Sequence, residues 1–529
     1  MLIQDELRAA VRRAVTGTSA DAVHAGRMLL AITPALDESA RLEVEAVLRT
    51  ADPRFWIALE RVRARLFWDP PKPSMERPQG PGDPVPRLCV RALFADGRIR
   101  EQAVRLLAAS GSTAALPVLG LRAADWAGPV RAAARTAIAR HLDGDADGSA
   151  LAAVAPMALH LARRQEGRWL AERVDGALTG PGATRTLAAL LASPDAKLRR
   201  AAYQSLAGSG GLSLARAVQA ALGDPDNIIR RRCAEAAKRQ ATDVADAWLL
   251  ERMLGSHTPL VRVEALDGLH RLGERTEIHK ALADRSSLVR ATARFHLRPF
   301  GVDFAETYRN LISEPSTLTA AAVAGLAEVG SAEDADMFLR PLLHHSGARI
   351  RAEAIRGLNR LAAKIEVDEI LPLIEQDQSA AVVKAAVEVL LARGAGVAPE
   401  RLLDLLDSAR PVRVRLAARR LLAARDTTWR LAVDVMLLAD PEYAVAARAR
   451  SDLDGALREQ VYQKPSGQAA ALLTAHLPTA ERLLEPRTAD LLRFTLGLPR
   501  SGEADREGLQ PVHQARATVA QFLRRVLGQ

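Results

Sequence analysis

One phrase returns along the chain at nearly constant spacing, and that repetition constrains the fold more than any single residue does. It opens on a turn containing Asp, Ser, Gly or Pro, continues with an aliphatic residue and usually a basic one, and then sets two or three alanines at helical spacing. It reads DGRIREQAVRLL at 96–107, GPVRAAARTAI at 128–138, PDAKLRRAAYQSL at 194–206, DPDNIIRRRCAEAA at 224–237, TPLVRVEALDGL at 258–269, DRSSLVRATARF at 284–295, SGARIRAEAIRGL at 346–358, QSAAVVKAAVEVL at 378–390 and DSARPVRVRLAARRLL at 407–422. Weaker versions stand at 314–326 and 440–450. The equivalent basic positions are Arg100, Arg131, Arg199, Arg230, Arg262, Arg290, Arg351, Lys384 and Arg413, with Thr319 and Ala446 in the same place in the weak copies. Consecutive positions lie 28 to 33 residues apart, except for one interval of 68 that leaves room for a degenerate copy around Glu166 to Leu178.

A period near 31 holds two helices of roughly 10 to 14 residues with short turns, and neither helix has a polar half large enough to stand alone. Neighbouring copies therefore have to stack. Composition agrees: aromatic residues make up only 4% of the chain, and the apolar remainder is mostly Ala, Leu and Val, which fills close-packed helices better than a sheet sandwich. The pairs Ala133-Ala134, Ala201-Ala202, Ala236-Ala237, Ala385-Ala386 and Ala417-Ala418 are expected to let helices approach closely.

At these residues the sequence resembles the HEAT-repeat family, and bacterial HEAT-like alpha-solenoid proteins among it, whose second helix often opens with Val-Arg after a turn Asp or Pro. The matching pairs are Val130-Arg131, Ile229-Arg230, Val261-Arg262, Val289-Arg290, Ile350-Arg351 and Val412-Arg413, and the resemblance covers residues 88–450. It implies an all-α fold, a right-handed alpha-alpha superhelix with helical terminal caps. It also implies a ladder in which turn acids and helix arginines tie turns and adjacent repeats together through charge-assisted bonds. The candidate rungs are Asp224 with Arg230, Asp284 with Arg290 and Asp407 with Arg413, each at a separation of six.

Residues 1–68 read as an N-terminal helical cap or divergent repeats, with helices at Gln4 to Val15, Ala20 to Ala31, Ala40 to Leu48 and Arg54 to Trp68. Residues 69–87 carry seven prolines and read as a linker. Residues 451–529 read as further helices and a cap: Gly467 to Ala475, Thr479 to Leu484, Thr488 to Leu496, then a loop at Gly502 to Pro511 and a closing helix, His513 to Leu527.

Catalytic and ligand motifs are sparse. No phosphate-cradling glycine loop, dinucleotide fingerprint, paired-histidine zinc helix or calcium loop occurs. Gly208, Gly210 and Gly211 lack the lysine a phosphate loop needs and fit an inter-helix turn. His344 and His345 are adjacent, not three or four apart, so they do not converge on a metal. Cys89 and Cys233 make no disulfide framework and read as buried thiols in a reducing, cytoplasmic compartment. No cofactor or metal is expected. The opening MLIQDELRAAVRR is an amphipathic helix, and the apolar run Leu151 to Leu159 is far too short for a bilayer span.

The formal charge is +10, from 73 Lys plus Arg against 63 Asp plus Glu. That excess permits polyanion binding without establishing it. The reading that follows is a non-enzymatic scaffold or adaptor that binds a protein partner on the solenoid surface. Candidate contacts are Arg231, Arg232, Arg419 and Arg420 as polar anchors and Trp169, Trp248 and Trp429 as aromatic ones. The alternative is a nucleic-acid-binding protein, including a DNA glycosylase that uses a basic concave groove, for which Asp125, Trp126, Trp169, Arg199, Arg200, Arg230, Arg231 and Arg232 are the residues at hand. A mixed-charge surface favours the first, and a continuous positive groove the second.

Overall fold

The computed structural model describes residues 2–32, 37–66, 82–180, 183–394, 396–458 and 467–498. Most of the expected linker, the loop at 502–511 and the closing helix at 513–527 lie outside the described residues. Among the described residues every regular element is helical, and none of the helices is long and apolar enough to cross a membrane. The chain divides into two units, Met1–Glu274 and Arg275–Gln529.

The first unit is a series of helical hairpins. Four opening helices, Leu2–Thr16, Ser19–Ala31, Glu38–Arg49 and Pro53–Leu66, come close to the bounds read from sequence. The next begins at Val85, two residues before the expected end of the linker, because Pro86 sits in its first turn, where proline has no helical hydrogen bond to lose. Hairpins follow with second helices Gly97–Ser110, Gly128–Asp143, Ala196–Gly208, Asn227–Asp243 and Pro259–Arg271. The long interval between Arg131 and Arg199 holds the pair Ser149–Leu161 and Arg168–Leu178.

Local chemistry sets where these helices begin and end. The side chains of Asp96, Asp195 and Asp226 accept from the first free N–H groups of their helices. At the far end the chain leaves through the left-handed region, at Gly111, Gly210 and Gly273. Ala245 does the same without glycine, at φ 56°. Successive second helices pack on one another, 196–208 on 227–243 and 227–243 on 259–271. Ala134, Ala202 and Ala237 are fully buried there, as the close-approach role requires.

The second unit repeats this plan with second helices Ser287–Leu297, Ala320–Val329, Ala348–Arg360, Ala380–Ala392, Val412–Ala423 and Tyr443–Arg458. One first helix departs from it: between Ala332 and His344 the backbone passes through α, π and 3-10 turns. The segments expected as Gly467 to Ala475 and Thr479 to Leu484 form one helix, Gly467–Leu483, which runs through Pro478. Its buried face, Leu473, Leu477 and Ala480, continues across the proline, and burial there outweighs the one hydrogen bond proline removes.

Candidate functional site

Eight second helices place an arginine at their fourth residue: Arg100, Arg131, Arg199, Arg230, Arg262, Arg290, Arg351 and Arg415. In all of these but Arg415, Nη1 donates back to main-chain carbonyls of the turn just passed. Arg100 reaches Phe94 and Ala95 at 2.9 and 2.7 Å, Arg199 reaches Ser193 and Pro194 at 2.9 and 3.0 Å, and Arg351 reaches His345 and Ser346 at 2.7 and 2.9 Å. In Arg100, Arg199 and Arg351 the other edge of the guanidinium reaches forward to the turn of the following repeat. Nε and Nη2 of Arg100 donate to Asp125 at 3.1 Å each, those of Arg199 to Asp224 at 3.0 Å each, and those of Arg351 to Asp377 at 2.7 and 2.9 Å. Arg415 donates through Nη1 to Asp440 at 2.7 Å.

The turn acid is also spent locally. Asp125, Asp224, Asp377 and Asp440 each accept the N–H two residues on, from Ala127, Asp226, Ser379 and Glu442. Burial opposes the Asp377 charge, but the bonds from Arg351 and the Ser379 N–H outweigh it and hold the carboxyl below its usual range. The rungs of Arg100, Arg199 and Arg351 are thus bidentate, largely buried pairs, and that of Arg415 is buried with a single nitrogen on both oxygens, arrangements in which loss of one partner is costly.

The expected pairs at separation six are made differently. Arg230 and Arg290 bond Asp224 and Asp284 through the main-chain carbonyl, at 2.8 and 2.7 Å. The Asp224 carboxylate belongs to Arg199, and the forward edge of Arg290 goes to Glu328. Asp407 and Arg413 do not meet: Asp407 accepts from the Ala409 N–H, while Arg413 reaches back to the Asp377 carbonyl and the Gln378 side chain. In VRVR either arginine follows an aliphatic residue, and the helix start at Val412 selects Arg415. Lys384 is fifth in its helix, an exposed side chain 3.8 Å from Glu388, with Val383 in the rung position.

The proposed surface anchors separate into two groups. Arg231, Arg232 and Arg420 are exposed, Arg232 donating to Gln204 at 3.3 Å. Trp248 is 61% exposed, with the Arg252 guanidinium 4.9 Å from its ring centre. Trp169 is half-buried under Arg135, at 5.1 Å. Arg419 and Trp429 are not surface residues. Arg419 lies buried between Asp434 and Asp452, at 2.6 and 2.7 Å, and Trp429 is 7% exposed. Their helices are covered because Thr427–Leu437 packs on Val412–Ala423, Tyr443–Arg458 and Gly467–Leu483 together.

Of the residues at hand for lesion chemistry, the acid and some of the arginines are taken up. Asp125 is buried between Arg100 and Arg122, and Arg200 bonds Asp226, whose carboxyl that pairing pulls down to about 2. Trp126 beside it is 79% exposed, with Arg100 5.3 Å from the ring centre. His345 accepts the Gly347 N–H on Nδ1 at 2.9 Å, standing where other turns carry an acid. Both cysteines are buried, and burial pushes the Cys233 thiol up to about 12. Among the described residues no group of three or more His, Cys, Asp or Glu could hold a metal ion.

Along the second helices several cations are answered by acids of the same or the next helix. Lys238 pairs with Glu264 and Asp267, Arg356 with Glu353 and Glu388, and Arg294 with Glu328. Two recesses open on the surface. One of about 820 Å³ in the first unit is lined by Arg41, Glu45, Arg49, Asp83 and Ser112 among others, with the Ser112 hydroxyl donating to Glu45 at 2.6 Å. Another, of about 520 Å³, lies in the second unit around Arg294, Glu328 and Arg360.

A family model for HEAT repeats matches residues 184–270, so the three hairpins ending in helices 196–208, 227–243 and 259–271 are HEAT repeats. No curated protein sequence matches the chain. Among solved structures, similar chains include Kap95p with RanGDP, at 12% identity and a TM-score of 0.33, covering 97% of this chain and 70% of that one. Kap121p bound to the extreme C-terminus of the protein phosphatase Cdc14p is similar at 15% identity and a TM-score of 0.30, covering 93% and 62%. Importin beta is similar at 12% identity and a TM-score of 0.31, covering 99% and 78%.

Proposed function

We propose that the chain is a non-enzymatic scaffold or adaptor that binds a protein partner on the exposed faces of its stacked hairpins. One observation carries this reading: acids and bases are interspersed on those faces, several of them paired across neighbouring helices, while large apolar side chains such as Trp248 and Phe295 project from them. Paired charges of both signs beside projecting aromatics are the mixture a protein interface uses. A polyanion track needs the opposite, a run of cations free to displace counterions from successive phosphates.

In this reading Trp248, Arg231, Arg232 and Arg420 contact the partner, and Trp169 contributes its exposed edge. Affinity purification from native lysate, with and without nuclease, tests it. The same protein partner is expected in both eluates, at reduced yield with Trp248→Ala. Recovery of nucleic acid alone, or retention of every partner only through nucleic acid, would replace this reading with the nucleic-acid one.

A further inference from the structure

Three guanidinium groups converge on the single carboxylate of Glu328. Arg290 donates through Nε to Oε2 at 3.2 Å and through Nη2 to Oε1. Arg294 donates through Nη1 to Oε2 at 2.8 Å and to the Tyr308 hydroxyl at 3.2 Å. Arg360 stands 3.6 Å from Oε1, with its side chain 57% exposed and no hydrogen bond among the described residues. Three cations against one anion leave a local excess of two, and the part borne by Arg360 faces solvent.

The shape of the surface follows from a change in sequence. Helix Ala320–Val329 reads AAAVAGLAEV, and Glu328 is its one charged side chain. No long side chain but Glu328 rises from it between helices Ser287–Leu297 and Ala348–Arg360, which leaves the recess of about 520 Å³. Leu288 and Ala291 line one wall, Arg294 and Arg360 the polar end. Leu288, Ala291 and Phe295 share one stripe of their helix, and Phe295 is 73% exposed. At the matching positions helix Ala348–Arg360 carries Arg349 and Arg356, and helix Ala380–Ala392 carries Lys384 and Glu388. Neither of those helices continues the apolar stripe.

We infer that this recess is a docking site for an acidic segment of the protein partner, one that sets an Asp or Glu carboxylate between Arg294 and Arg360 and a large apolar side chain against Leu288 and Phe295. The inference rests on the adaptor reading and names the chemistry of the partner. A guanidinium held beside a second one matches a carboxylate in charge and in donor geometry. A phosphodiester chain fits less well, because Arg356, which would continue the track, is taken by Glu353 at 2.7 Å and Glu388 at 3.5 Å, and the Glu388 carboxylate interrupts the run.

Fluorescence anisotropy with the full chain tests this, using a labelled peptide of alternating Glu and Phe between Gly-Ser spacers. The same peptide with Gln for Glu, and a single-stranded DNA oligomer of equal charge, serve as comparisons. The Glu peptide is expected to bind about ten-fold or more tightly than either, and Arg360→Glu and Phe295→Ser each to weaken it about ten-fold. Both side chains are exposed, so an unchanged thermal midpoint is expected and separates lost binding from lost fold. Equal binding of the Glu and Gln peptides, indifference to Arg360→Glu, or preference for the DNA oligomer would overturn the inference. If the Glu peptide fails while a protein partner is still retained after nuclease, the recess is excluded and the adaptor reading stands. If no protein partner is retained by the unmodified chain, that reading fails whatever the peptide does.

Discussion

An arginine at the fourth residue of a second helix has to satisfy two turns at once, one behind it through carbonyls and one ahead through a carboxylate. Arg415 meets the forward demand, its Nη1 holding the buried Asp440 carboxylate, and Arg413 does not, so Arg415→Met should destabilise the chain by roughly 3 kcal/mol or more, the cost of stranding a buried partner, and Arg413→Met by about 1 kcal/mol or less. Chemical denaturation of the two variants checks the order, and equal losses would mean the rung has been misplaced. The recurrence of the arginine was legible in the sequence because it sits in the same phrase as the turn and the alanines. Its partner was not, since Asp125, Asp224, Asp377 and Asp440 lie 25 or 26 residues downstream, in the next phrase. Burial of Arg419 and Trp429 was illegible for a related reason, as it depends on which helices cover theirs. Asp434, the partner of Arg419, is fully buried, and burial pushes its carboxyl up to about 6 against the pull of Arg419. In the unfolded chain the same group titrates near 3.9. The folded chain therefore holds the proton through that interval and the unfolded chain does not. The contribution to stability is full below about 4 and declines as pH rises through about 6. Asp434→Asn should remove that decline, so thermal midpoints of variant and parent diverge between about pH 4 and pH 6; parallel profiles would contradict the assignment.

At the scale of the element, small residues do opposite things depending on what faces them. Gly325 in helix Ala320–Val329 lies directly under the Tyr308 ring, whose hydroxyl donates to the Leu282 carbonyl at 2.9 Å. A methyl at Gly325 would overlap that ring, and the ring cannot retreat without breaking its bond, so Gly325→Ala should cost roughly 1–3 kcal/mol. Gly176 in helix Arg168–Leu178 meets nothing within 4 Å, and there Gly176→Ala should add about 0.5–1 kcal/mol through helix propensity. Thermal unfolding of both variants reads the two signs. The period gave away the hairpins, including the degenerate one around 166–178, because amphipathic spacing survives even where the phrase decays. The continuity of Gly467–Leu483 was hidden by Pro478, for a proline in sequence looks the same whether burial on the opposite face overrides it or not.

Across the whole molecule, stability should follow the rungs, since each repeat is held chiefly by its neighbours. The rung from Arg351 to Asp377 is complete, whereas the next position holds Val383 and leaves Asp407 without an arginine among the described residues. Amide exchange in the second unit should therefore open first around Pro399–Asp404 and the turn at Asp407, and later around Val367–Gln376; uniform protection across both would show that packing alone sets the order. The offset of a rung has a further outcome. Because an arginine and its acid are 25 or 26 residues apart while the repeats recur near 31, a rung joins the second helix of one hairpin to the turn of the next and is contained in neither. Excising one entire hairpin lets the arginine before the cut meet an equivalent acid after it, whereas excising half of one strands both charges. Such an array can gain or lose copies more readily than any copy can change its length, and it lengthens its reach in whole steps.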